Sequence, residues 1–174
     1  MYVITGTSGT GKTTLLASLR ALGYLCFDEP IRRVLEVQLR TDGDALPSKD
    51  PKRFIRAILT AFEQDYEETR QAQAICFFDR GIPDAAAYAT RFGVDPTLIE
   101  TSARQLRYSE PVFVLEPWRE IFVQDELRGK TFGEYEHFHQ LIIRAYSDLG
   151  YSLVMVPRAP VETRAEFIMS RIGA

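Results

Sequence analysis

Residues Gly6 to Thr13 read GTSGTGKT, a complete G-x-x-x-x-G-K-[ST] phosphate loop, and only Thr5 separates it from the apolar run Tyr2-Val3-Ile4. Few folds satisfy that arrangement. A strand must deliver the chain to a point where successive backbone N–H groups converge on one anion, and a helix must begin at once to add its positive dipole end. Glycines are expected at Gly6, Gly9 and Gly11 because a Cβ would clash there. Lys12 can reach the β and γ phosphates of a nucleoside triphosphate, and Thr13 offers its hydroxyl to Mg²⁺. The expected nucleotide contacts are therefore Gly6, Ser8, Gly9, Thr10, Gly11, Lys12, Thr13 and Thr14.

Hydrophobic periodicity then alternates down the chain. Leu15, Leu16, Leu19 and Leu22 recur at helical spacing, with Gly23 in the terminating position, and predict a helix over 12–22. A second strand is expected over 24–27, ended by Asp28-Glu29-Pro30, because proline cannot continue the ladder. A helix over 31–39 leads into Thr41 to Ser48, a polar stretch with the residues of a mobile loop. Asp50-Pro51 supplies an N-cap and an N1 proline for a long helix to about residue 73, with Phe54, Ile55, Ile58, Leu59, Phe62 and Tyr66 on its apolar face. A third strand is expected over 74–78, helices over 83–91 and, from Asp95-Pro96, to about 107, and a fourth strand over 112–115. Thr131 and Glu134 form a capping box for a helix to about 149, with Phe132, Tyr135, His139, Ile142 and Leu149 on one side. A fifth strand over 152–156 and a helix over 161–172 complete the pattern. Short apolar strands alternating with helices predict right-handed crossovers and a parallel sheet covered on both faces, one α/β domain over 1–174.

In such a sheet a ligand lies beyond the carboxyl ends of the strands, so the residues that follow each strand are functional candidates. Charge stands at every one of them: Asp28-Glu29, Asp79-Arg80, Glu116 and Arg158. Asp79 has the form of the second phosphate-loop motif, whose carboxylate holds Mg²⁺, and its competing reading is the N-cap of the next helix. Glu29 is the expected base, accepting a proton from a substrate hydroxyl as the γ-phosphoryl arrives, with Asp28 as the fallback and a solvated loop carboxylate as the bland alternative. Arg80, with Asp28, Glu29 and Arg119, would fix an acceptor, and Arg158 is a further expected nucleotide contact. Arg119, Arg128 and Lys130 lie where a lid of about 116–131 is expected, and Arg128 is the preferred residue to neutralise charge on the moving phosphoryl group. His137 and His139, two apart on a helix, make a poor metal pair, and Trp118 reads as packing.

Composition narrows the partners. A formal charge of −3 and a pI near 5.5 disfavour a nucleic-acid backbone, which needs concentrated Lys and Arg. No run approaches a membrane span, and MYVITG has neither a basic segment nor an apolar stretch of signal-peptide length, so a cytoplasmic location is expected. Cys26 and Cys76 lie in apolar runs and read as small buried hydrophobes.

The motifs GTSGTGKTT, FDEP, FFDRGIPDAAAY, LEPW and VPRAPVETRA together resemble the AAA-type ATPase-like P-loop proteins related to the nicotinamide riboside kinase domain. More distantly they are similar to nucleoside and nucleoside monophosphate kinases. Asp79-Arg80-Gly81 with Asp84 and Tyr88 is the more telling group signature. The resemblance covers essentially the whole chain and implies a P-loop NTPase three-layer fold with sheet order 2-3-1-4-5, ATP with Mg²⁺, and a small hydroxyl-bearing acceptor near Glu29 and Arg80. The chain departs from deoxynucleoside kinases at Arg33-Val34, where they carry Trp, and at Asp79-Arg80-Gly81, where they have Glu-Arg-Ser. Its length leaves no room for the helical lid domain of ring-forming AAA motors. The absence of asparagine excludes the Asn-Lys-x-Asp guanine reader. Three functions compete: a small-molecule kinase, a nucleotide-dependent regulatory module with a protein or lipid partner, and a polynucleotide kinase.

Overall fold

The computed structural model describes residues 1–70, 72, 74–121 and 131–173. Five parallel strands, β1 (Tyr2–Gly6), β2 (Leu25–Phe27), β3 (Cys76–Asp79), β4 (Val112–Leu115) and β5 (Leu153–Val156), pair in the order β2-β3-β1-β4-β5. The helices between them are α1 (Lys12–Ala21), α2 (Pro30–Arg40), α3 (Pro51–Thr69), α4 (Ile82–Arg91), α5 (Thr97–Gln105), α6 (Phe132–Asp148) and α7 (Val161–Ile172). This is the parallel α/β sheet expected from the alternation, in the P-loop NTPase strand order that the resemblance implies.

Because successive side chains of a strand point to opposite faces, neighbouring residues feed separate cores. Val3, Phe78, Val112 and Val114 join Phe54, Ile58, Phe62, Ile142 and Tyr146 on one face, under α3, α4 and α6. Ile4, Phe77, Phe113 and Leu115 join Leu15, Leu16, Leu19 and Ile168 on the other, under α1 and α7. Each such side chain taken out of water contributes about 1.5–3 kcal/mol before entropy is counted. The central strands β3 and β4 are buried throughout, whereas the edge strands expose Leu25 and Met155.

Local chemistry sets most boundaries. The Asp50 carboxylate accepts the Arg53 N–H at 3.0 Å and caps α3 with Pro51 at N1. Thr131 and Glu134 close the expected capping box on α6. Several boundaries differ from expectation. Helix α3 stops at Thr69, where the Thr69 hydroxyl turns back to the Asp65 and Tyr66 carbonyls. Asp95 does not cap α5 from the N-cap position; it accepts the Thr97 N–H and hydroxyl in a turn, and Pro96 stands at the cap. Strand β3 runs on through Asp79 because Asp79 pairs with Ile4 across the ladder. The stretch 41–48, expected to be mobile, is pinned: Gln38 Oε1 accepts the Ala45 N–H at 3.0 Å, Lys49 pairs with Asp42, and Leu46 is buried.

Candidate active site

The phosphate loop leaves β1 at Gly6 with φ +141°, followed by Gly9 at +79° and Gly11 at +83°. The three glycines are required for different reasons. A Cβ on Gly6 would collide with the Leu115 carbonyl of β4, and one on Gly11 would meet the Arg164 guanidinium at 2.9 Å. Nothing approaches a Cβ on Gly9, so the clash expected there is absent and only its left-handed backbone calls for glycine. Lys12 is buried at the loop's floor and donates to the Gly6 and Thr7 carbonyls at 3.0 and 2.8 Å. Burial lowers its pKa to about 8, against the opposing pull of Asp79, Glu29 and Asp84. Thr10 donates to the Thr7 carbonyl, and Thr13 and Thr14 open α1 on its exposed side.

The second group is assembled from distant segments. Arg80, the residue after β3, is fully buried and adopts φ +74°, unusual for a residue with a Cβ. Its Nε donates to Glu29 Oε1 at 2.6 Å and its Nη1 to Asp84 Oδ1 at 3.1 Å, while Nη2 is buried without a hydrogen-bond partner among the described residues. Asp84 is also completely buried. It accepts the Thr5 hydroxyl at 2.7 Å, the Tyr146 hydroxyl at 2.6 Å and the Gly81 N–H at 3.0 Å, the last satisfying the N-cap amide of α4. Gly81 leaves no room for a side chain, since a Cβ would meet Tyr108, Tyr146 and Val3 at 2.9–3.0 Å. Burial pushes the Glu29 carboxyl up, but the charges of Arg80 and Lys12 with the Arg80 hydrogen bond outweigh it and hold the group below its ordinary value. Glu29 is thus an ionised acceptor at neutral pH, the N-cap residue of α2.

Asp79 is buried, and its Oδ1 has no hydrogen-bond partner among the described residues. Burial raises its pKa against the pull of Lys12 and Arg80. Its alternative reading as the cap of α4 falls away, because Gly81 occupies that position. An orphaned carboxylate oxygen and the Thr13 hydroxyl are hard oxygen donors of the kind Mg²⁺ takes, so the residues present fit that ion. Beside Glu29 opens a cavity of about 410 Å³, lined by Ser8, Glu29, Ile31, Arg32, Leu35, Pro47, Phe54, Tyr88, Arg91, Phe92, Tyr135 and Phe138. Its size lies in the range of small-molecule sites, ~300–1,000 Å³.

Other candidates are placed elsewhere. Asp28 is exposed and pairs with Arg20 at 2.9 Å, away from the cavity. Arg119, in a 3-10 turn after β4, lies over the Phe132 ring at 4.7 Å and does not line the cavity. Arg158 donates to the Pro117 carbonyl at 2.9 Å and lines a separate hollow with Glu116, His137 and His139. Arg128 and Lys130 lie outside the described residues, as does most of the expected lid. Among the described residues no His, Cys, Asp and Glu group is arranged to hold a metal by three such side chains, and the two cysteines are free. Sequence reasoning assigned no role to Arg164 of α7, whose Nη1 reaches the Thr10 carbonyl at 3.4 Å across 154 residues. No local signal marks it. Asp84 carried one, its N3 spacing from Gly81.

A family model described as an AAA domain matches residues 1–164. The chain belongs to that AAA-domain family. No curated protein sequence matches it significantly. Among solved structures, the AAA-domain chain is similar to the NadR protein in complex with NR, with 19% identity and TM-score 0.72 over 98% of this chain and 50% of that one. It is also similar to the deoxyadenosine kinase from M. mycoides with the products dCMP and dCDP, with 22% identity and TM-score 0.65 over 99% of both chains. YorR from Bacillus subtilis, in complex with phosphorylated GDP, follows at 14% identity and TM-score 0.60 over 99% of this chain and 96% of that one. The chain thus spans about half the length of NadR, and at these identities the likeness is one of fold. No helix among the described residues is long and apolar enough to cross a membrane.

Proposed function

We propose that this chain is an ATP-dependent kinase, acting in the cytoplasm as a single domain over 1–174, that transfers the γ-phosphoryl group to the hydroxyl of a small acceptor. The observation that carries the reading is the ionised Glu29, held by Arg80 at 2.6 Å, on the wall of a cavity that also includes Ser8 of the phosphate loop. Phosphate and acceptor sites are thereby continuous. The likeness to NadR with NR and to deoxyadenosine kinase supports an acceptor of nucleoside size, and the net charge of −3 supports a small molecule over a nucleic acid.

In this reading the loop amides of Gly6 to Thr14 and Lys12 bind the triphosphate of ATP, and Thr13 and Asp79 would hold Mg²⁺, which neutralises phosphate charge when bound. Glu29 orients the acceptor hydroxyl through a hydrogen bond and takes its proton as the oxygen bonds to the γ-phosphorus and the bond from that phosphorus to the bridging oxygen breaks, leaving ADP. The unpartnered Nη2 of Arg80 is available to an acceptor or phosphoryl oxygen, while its other nitrogens fix Glu29 and Asp84. Arg128, from the segment 116–131, keeps the charge-neutralising role expected of a lid residue. The test is stoichiometry: ADP formed in step with a phosphorylated acceptor from a panel of nucleosides, sugars and vitamins, and lost in Glu29→Gln. Slow hydrolysis with no acceptor, unchanged in Glu29→Gln, would replace this reading with a nucleotide-dependent regulatory module.

A further inference from the structure

The cavity beside Glu29 carries more positive charge than a neutral acceptor requires. Glu29 is the one carboxylate among its lining residues, and it is already bonded to Arg80. Arg32 and Arg91 line the same cavity, and neither makes an ion pair or a hydrogen bond among the described residues. Arg91 is half-buried, with its guanidinium carbon 4.9 Å from the Phe138 ring centroid and 5.9 Å from that of Phe92. Stacking orients its planar fork without consuming its donors, the preorganised form in which arginine takes a carboxylate or phosphate through two parallel hydrogen bonds.

Ordinary explanations cover the pair only in part, since the charge of Arg32 helps to hold Glu29 ionised. Arg91 lies in the last turn of α4, where the helix dipole favours a cation, but Arg32 lies in the first turn of α2, where the dipole disfavours one. Nor do the triphosphate sites account for Arg91. Helix α4 opens at Ile82, two residues after Arg80, and Arg91 closes it nine residues later, about 13 Å along the helix. Arg91 therefore stands a helix length away from Arg80 and the strand-end carboxylates. Between the two stand flat walls: Tyr88 packs edge-on against Phe138 at 4.7 Å and against Phe54 at 6.3 Å.

We propose that the acceptor is a flat aromatic molecule bearing an anionic group, carboxylate or phosphate, remote from the hydroxyl that is phosphorylated, and that Arg91, with Arg32 at the rim, reads that charge. The inference rests on the kinase reading and names its substrate class. Two matched pairs of ribosides test it: uridine against 5-carboxyuridine, and the ribosides of pyridine-3-carboxamide and pyridine-3-carboxylate, with 5-phosphonouridine added to distinguish a phosphate-type anion from a carboxylate. Binding is measured by calorimetry with Mg²⁺ and AMP-PNP, and transfer by product analysis with ATP. Within a pair the charged member is expected to bind at least about tenfold more tightly, and Arg91→Gln to weaken it about tenfold more than the neutral member, with Arg32→Gln acting in the same direction. Equal affinities, preference for the neutral members, equal losses in Arg91→Gln, or no binding of any member would each overturn the proposal. A charged member that binds with that preference and is never phosphorylated leaves anion reading intact and removes the kinase; phosphorylation of neutral members alone does the reverse.

Discussion

The phosphate loop and the Glu29–Arg80–Asp84 network stand side by side but are built in opposite ways. The loop draws most of its parts from one stretch, residues 6–14, and is held chiefly by its own carbonyls, as in the Lys12 bonds to Gly6 and Thr7. The network draws Glu29 to Arg80 across 51 residues, Thr5 to Asp84 across 79 and Tyr146 to Asp84 across 62. A contiguous site depends on backbone conformation. An assembled one depends on buried charge, so removing one partner strands the others.

The largest effect that would break this division is expected at Glu29. Glu29→Gln keeps shape but cannot accept a proton, so phosphoryl transfer should fall by about 10²–10⁴-fold, with AMP-PNP affinity by calorimetry little changed; equal losses in both would mean that the two regions act as one. Next comes Asp84→Ala, which leaves Arg80 buried beside Glu29 alone. It should cost about 3–5 kcal/mol, read as a lowered denaturant midpoint, and a loss below about 1 kcal/mol would show that the network does not hold the fold.

A pH series sharpens the contrast further. The folded pKa of Lys12, about 8, lies below its unfolded value, so the unfolded chain binds the extra proton above pH 8 and stability should rise with pH from about 8 toward 10. Phosphate favours the charged ammonium, so ATP affinity should fall over the same window, by up to about tenfold per unit, and Lys12→Arg should flatten it. Glu29 behaves oppositely. Its folded pKa is depressed, so its contribution is present above the ordinary carboxylate range and lost as pH falls through the folded value. The smallest effect is expected at Gly9→Ala, where space is open and only φ +79° is strained: about 1–2 kcal/mol, measured by thermal melting.

The same contrast explains what could be read from the sequence. The alternation of strands and helices, the covering of both faces of the sheet and the loop followed from periodicity and from one motif, because each is encoded within a few neighbouring residues. The strand order came only with the family resemblance. Glu29 and Arg80 could be named as strand-end residues, yet nothing local revealed that they touch, or that Asp28 turns instead to Arg20. Arg158 had the same strand-end signal as Glu29, and nothing local revealed that it bonds a carbonyl of the β4 loop and lines a different hollow. Arg91 and Arg32 carried no motif; what sets them apart is the absence of an ion pair or hydrogen bond among the described residues, a property that only tertiary structure defines. The polar loop 41–48 was misread because composition marks exposure well but cannot register one buried leucine and one glutamine bond.

Arg164 adds a constraint of time. Its guanidinium backs Gly11 and reaches the Thr10 carbonyl, so the cradle begun at residue 6 is braced by a side chain 154 positions later. A chain emerging from the ribosome exposes the whole GTSGTGKT motif early, yet the brace cannot close until α7 has emerged. Nucleotide capture would then wait on the packing of α7 and not on the motif alone.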